Sequence, residues 1–290
     1  MCDDQTQFDA DQDAINRGIS RRDLAKLTSA AALASVLPVP ANAADVVEQD
    51  VIIPTPDGEA DCYFVHPAEG AHAGVLMWPD ILSLRPAARL VGKRLAQSGY
   101  SVLVVNPYYR SAKAPVVGPG ASFRNPEVRN KVLPLARSLT AETNVTDANT
   151  FVAWLDAQDV VDTSRGVGTT GYCMGGPMVM RTAAAIPNRI KAGASFHGGG
   201  LVCDDEGSPH LLIPTMTASF LIAVASNDDE KEPDAKDVLR ASFDAAGLDA
   251  EIEVYDALHG WCMPDSQVYD EPEAERAWAR LLALFETALA

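Results

Sequence analysis

Cys173 stands in the stretch Gly171-Tyr172-Cys173-Met174-Gly175-Gly176. It lies between an apolar run ending at Thr170 and a helical pattern opening at Gly176. In that setting G-x-C-x-G is a nucleophile elbow with cysteine in the position that serine fills in many hydrolases. Glycines flank the central residue because the sharp turn brings backbone against backbone, where a Cβ would obstruct. The turn also sets the thiol at a helix N-terminus, whose macrodipole favours a thiolate. Such a nucleophile needs a base and an acid to orient it, following in the order nucleophile, acid, histidine. Asp228 and Asp229, after the run Phe220–Ala225, offer the acid, and His259, after Glu251–Tyr255, offers the base. His197, directly after Phe196, is the rival histidine. Each element has a plain structural reading: a buried cysteine, a solvated acidic turn, a turn histidine beside a core tryptophan. Their occurrence in the required order at three strand ends favours chemistry.

The elements that must hold these residues are legible as alternating runs. Strands are expected at Val46–Ile53, Asp61–His66, Gly74–Trp78, Ser101–Val105, Gly166–Thr170, Ala192–Phe196, Phe220–Ala225 and Glu251–Tyr255. Helices are expected at Pro86–Gln97, Pro126–Leu139, Asp147–Gln158, Gly176–Ile186, Asp234–Ala246 and Glu271–Leu289. Near-continuous apolar strands such as Val102-Leu103-Val104-Val105 call for a mostly parallel sheet of about eight strands with helices on both faces. The first two strands read as an edge hairpin. Ligands on such a sheet bind at the carboxyl ends of the strands.

Composition narrows the partners. The 290 residues carry 23 Lys+Arg against 40 Asp+Glu, a formal charge of −17, with 47% hydrophobic residues. The chain can bury a large core and lacks the clustered cations that nucleic acid requires. Five cysteines make no disulfide scaffold, and none is spaced as a zinc site, so neither metal nor cofactor is expected. Cys62, Cys203 and Cys262 are able to supply one disulfide, with a choice the sequence does not make. No apolar stretch is long enough for a stable membrane span.

The N-terminus has another character. Arg21-Arg22 precede the apolar run Leu27–Leu37, which leads through Pro38 and Pro40 to Ala41-Asn42-Ala43. This order is that of a twin-arginine export signal over residues 1–43, with a working domain over 44–290 and a periplasmic or secreted destination reached through the twin-arginine machinery.

At the elbow, at His259-Gly260-Trp261, at Gly99-Tyr100 and at Asn227-Asp228-Asp229, the chain resembles the dienelactone hydrolase family of α/β-hydrolases, from about Val46 to Ala290. The resemblance implies that fold, a triad of Cys173, Asp228 and His259, and hydrolysis of a small ester or lactone through an acyl-cysteine. It selects Asp228 over Asp229. It gives Asp80 the place of an acidic residue, usually glutamate, that holds the resting thiol, and sets Trp261 beside the histidine as a substrate-binding or thiol-positioning residue. Arg129 falls where the family carries an arginine for a substrate carboxylate. A second such arginine is missing, its place being held by Cys262, Met263 and Pro264, so the ester or lactone class is better supported than a dicarboxylate. The fold supplies an oxyanion hole from the backbone N–H groups of Ile81 and Met174. Tyr108, Tyr109 and Arg110 follow the strand Ser101–Val105 and are placed to line the same rim. The scaffold also admits a cysteine acyltransferase or peptidase, or an exported binding protein without catalysis.

Overall fold

The structure, a computed structural model, describes residues 37–40 and 42–290. The paired arginines and nearly all of the apolar run of the expected leader lie outside those residues. Eight strands form one sheet in the order β1-β2-β4-β3-β5-β6-β7-β8: β1 (Val46–Thr55), β2 (Gly58–Pro67), β3 (Gly74–Trp78), β4 (Ser101–Val105), β5 (Val167–Tyr172), β6 (Ile190–Phe196), β7 (Ser219–Ala225) and β8 (Ala250–Tyr255). The first two pair antiparallel as the expected edge hairpin, and β2 meets β4 antiparallel. From β4 to β8 every neighbour is parallel. This is the α/β-hydrolase architecture, with the loops after β3, β5, β6, β7 and β8 gathered along one edge of the sheet.

Strand alternation sorts the core into two layers. Val75 and Met77 of β3 face helices α1 (Pro86–Gln97) and α7 (Glu271–Ala288), which bury Val91, Leu95, Leu281 and Phe285 there. Leu76 and Trp78 face α3 (Ala141–Asp156), α4 (Gly175–Ala185) and α6 (Ala235–Ala246), which bury Phe151, Val179 and Phe243. Cys62 belongs to the second layer and Cys262 to the first. A third, smaller cluster sits beyond the ends of β3 and β4, where Ile81, Tyr108, Val116 and Phe123 pack against Val132 of α2 (Pro126–Arg137). Leu37 packs on the first layer.

Three elements depart from expectation. The helix expected from Asp147 begins at Ala141, because Thr140 caps it and exchanges a capping box with Thr143. The turn carrying Asp228 is the short helix α5 (Ser226–Lys231). A 3-10 helix, Pro209–Thr215, forms between β6 and β7. Among the described residues no helix is long and apolar enough to cross a membrane.

Candidate active site

The elbow is built by crowding. Cys173 has φ 53°, in the left-handed region that a residue with a side chain adopts only when its surroundings enforce it. A Cβ on Gly171 would lie 2.3 Å from Gly175 O, and one on Gly175 would lie 2.4 Å from Trp78 O. The backbones of β3, β5 and α4 therefore meet at the turn, and only glycine fits between them. Cys173 N–H donates to Phe196 O, tying the elbow to the end of β6. The thiol is 1% exposed.

Two further loops converge on it. His259 Nδ1 and Asp228 Oδ2 are 2.7 Å apart. The neighbouring Asp229 turns away and pairs with Lys236 at 2.7 Å. The two loops are lashed together: His259 N–H donates to Asn227 Oδ1, and Ser226 donates to Ala257 O from both backbone and hydroxyl. Asn227 thus fixes the histidine's backbone while Asp228 fixes its ring, a pairing the sequence motif did not reveal. Burial alone would depress the His259 pKa, but the charges of Asp228 and Cys173 outweigh it and raise the imidazole well above the ordinary histidine range. Nδ1 being engaged by Asp228, Nε2 is the ring atom left to serve the Cys173 thiol, and nothing else occupies it among the described residues. The arrangement is one in which an imidazolium and a thiolate stabilise each other.

His197, the rival histidine, does not meet the acid. It packs its ring 4.8 Å from that of His259, centroid to centroid, with Trp261 edge-on at 5.2 Å. Its φ is 41°, and neither ring nitrogen has a hydrogen-bond partner among the described residues. Burial and then the charge on His259 drive its pKa well below the usual value, so it is held neutral.

Ile81 and Met174 sit in the third cluster at the ends of β3 and β5. Neither backbone N–H donates to another group among the described residues. Tyr108 joins them: its hydroxyl donates to Ile81 O at 2.9 Å and lies 3.3 Å from Met174 Sδ. Tyr108 is itself buried, so it braces the two segments instead of lining a rim. Tyr109 and Arg110 are likewise engaged, both holding Asp147 of α3.

Asp80 has its carboxylate gripped by Arg85 at 2.7 and 2.8 Å, and Oδ1 also accepts from Leu82 N–H. Arg85 binds Asp265 in the same two-pronged way at 2.7 and 2.8 Å. Where the resemblance led us to expect a carboxylate reserved for the thiol, the structure has a buried ion-pair network that shapes the loop carrying Ile81. Trp261 is also corrected: it is fully buried and stacked on Tyr255, a packing residue behind the two histidines. Arg129 sits one turn into α2, half-buried. The cleft that adjoins Met174 is lined by Arg181 of α4 and does not include Arg129. Cys62, Cys173, Cys203 and Cys262 form no disulfide with one another. No group of His, Cys, Asp and Glu among the described residues is arranged to hold a metal ion.

The sheet order and a cysteine on a strained elbow facing a histidine–aspartate pair define an α/β-hydrolase. The dienelactone hydrolase family model matches residues 60–289, and the chain belongs to that family. It is 29% identical over 223 residues to the carboxymethylenebutenolidase of Pseudomonas sp. (strain P51), covering 76% of this chain and 87% of that one. A second carboxymethylenebutenolidase, from Rhodococcus opacus, is 24% identical over 229 residues, covering 77% and 85% of the two chains. Among solved structures, a dienelactone hydrolase-like promiscuous phosphotriesterase from metagenomic libraries superposes with a TM-score of 0.68 at 19% identity, over 84% of this chain and 99% of its own.

Proposed function

We propose that the protein hydrolyses a small carboxylic ester or lactone through an acyl-cysteine, with Cys173 as nucleophile, His259 as general base and Asp228 as its orienting acid. The observation that carries this reading is the 2.7 Å contact of His259 Nδ1 with Asp228, which leaves Nε2 to serve a thiol held at φ 53°. The membership of the family and the carboxymethylenebutenolidase relatives support the substrate class.

The Cys173 thiolate attacks the carbonyl carbon, and the oxygen takes up negative charge between the Ile81 and Met174 N–H groups. His259 gives its proton to the departing alkoxide, which in a lactone stays attached as the new hydroxyl. The neutral imidazole then takes a proton from water, whose oxygen attacks the thioester, and collapse of that intermediate releases the acid and restores the thiolate. Asp228 keeps the ring in the tautomer and orientation that both steps require. Tyr108 and the Asp80–Arg85–Asp265 network act at one remove, by fixing the segments that carry the two N–H donors.

Cys173→Ala is expected to lower kcat/KM on an activated aryl ester by at least ~10⁴-fold. Intact-mass spectrometry of wild type during turnover is expected to show an acyl adduct on Cys173. Wild-type turnover with no adduct on Cys173, or persistent activity in the alanine variant, would exclude this nucleophile.

A further inference from the structure

We propose that the cleft running from Met174 to Arg181 binds the far end of the substrate, and that this end is a carboxylate. The proposal rests on the esterase reading above and names the class of ester. Met174, Met178 and Arg181 stand at i, i+4 and i+7 along α4 and its N-cap, so they share one face. All three line a cleft of about 170 Å³ closed on its other side by Leu139, Asn144 and the loop after β6. Met174 directly follows the nucleophile, and seven residues at 1.5 Å each put Arg181 about 10 Å farther along.

Two side chains in this cleft are short of partners. Arg181 makes no hydrogen bond or ion pair among the described residues, and its Nε is buried without an acceptor. Asn144 is 2% exposed, and both its amide oxygen and amide nitrogen lack partners. Buried polar groups left unmet are costly, so a ligand that met them would gain what the folded chain forgoes. Cys203 and Asp205 line the same cleft as Arg181, and Asp205 is its carboxylate. Asp205 is solvent-exposed and accepts from Gly207 N–H in its own turn. Asp205 forms no ion pair with Arg181 among the described residues, which leaves the guanidinium fork for a planar, two-oxygen anion, with the Asn144 amide as a further donor. The cleft's lining also includes Leu139, Pro177 and Met178, which are suited to methylene groups. An extended chain advances roughly 1.2 Å per bond, so the carboxylate belongs about eight bonds from the scissile carbonyl.

The test compares 4-nitrophenyl hydrogen suberate with its neutral methyl ester and with the shorter 4-nitrophenyl hydrogen succinate. Wild type is expected to prefer the suberate half-ester over both by about tenfold in kcat/KM, and the preference over the neutral ester should shrink as salt is added. Arg181→Met is expected to abolish that ratio, and Arg181→Lys to restore part of it. In parallel, calorimetry with monomethyl suberate on Cys173→Ala should show binding that Cys173→Ala/Arg181→Met loses about tenfold. Turnover of the neutral ester with an unchanged ratio in Arg181→Met overturns the cleft assignment. Failure of wild type to turn over any of the three esters, with calorimetric binding intact, overturns the esterase reading and leaves the cleft standing. Absence of binding to Cys173→Ala overturns the cleft whatever the turnover shows.

Discussion

His197 gives the site an unusual neighbour. A histidine that folding holds neutral has a lower pKa in the folded state than in the unfolded chain. Above the unfolded value, near 6.5, both states are neutral and the group contributes nothing to the pH dependence. Below it the unfolded chain takes up a proton that the buried ring refuses, so stability falls as the solution is acidified. Urea denaturation between pH 5 and 8 is expected to show this acid-side loss, and His197→Phe to flatten it. An undiminished slope in the phenylalanine variant would assign the loss elsewhere. His259 has the opposite sign, with a raised pKa whose stabilising effect is present below 6.5 and lost as pH climbs through the folded value. The two adjoining rings therefore pull the profile in contrary directions, and Cys173→Ala, which removes the coupled thiol, is the background in which to separate them.

At the scale of elements, the elbow depends on β3 and α4 approaching until only glycine separates them. Gly175→Ala would set a Cβ 2.4 Å from Trp78 O, a backbone atom that cannot swing aside. A loss of about 2 kcal/mol in urea denaturation is expected from such overpacking. It should be accompanied by a drop in kcat/KM, since Trp78 leads directly into the loop of Ile81. Wild-type stability and activity in this variant would mean the turn is looser than its geometry. The strands were legible in the sequence because continuous apolar runs mark a sheet covered on both faces, as Val102–Val105 shows. The start of α3 was not, because its capping box uses Thr143 where a glutamate or glutamine is the familiar signal. Cys173, Asp228 and His259 could be read from their places at strand ends. Arg85 with Asp265, Tyr108 with Met174, and His197 against His259 could not, because each pair is far apart in the chain and meets only in the folded sheet.

Over the whole molecule, the excess of acidic residues sets a field unfavourable to anionic ligands, which Arg181 has to offset locally if its cleft is to hold a carboxylate. We propose that the working protein begins at Ala44 and acts outside the cytoplasm after export. N-terminal sequencing of native protein is expected to start there, and an intact Met1 would refute export by cleavage. Leu37 now shares an apolar slot with Val91, Phe196, Cys262 and Trp278, so cleavage would leave that slot to other occupants.

The two layers of the core put Cys62 on one side of the sheet and Cys262 on the other. A covalent link between these two would have to pass through the hydrogen-bonded strands, so Cys62 and Cys262 cannot staple the fold to each other. With Cys62, Cys173, Cys203 and Cys262 unbridged, the architecture is complete without a covalent staple, which suits a domain proposed to fold in a reducing interior before it is moved across a membrane.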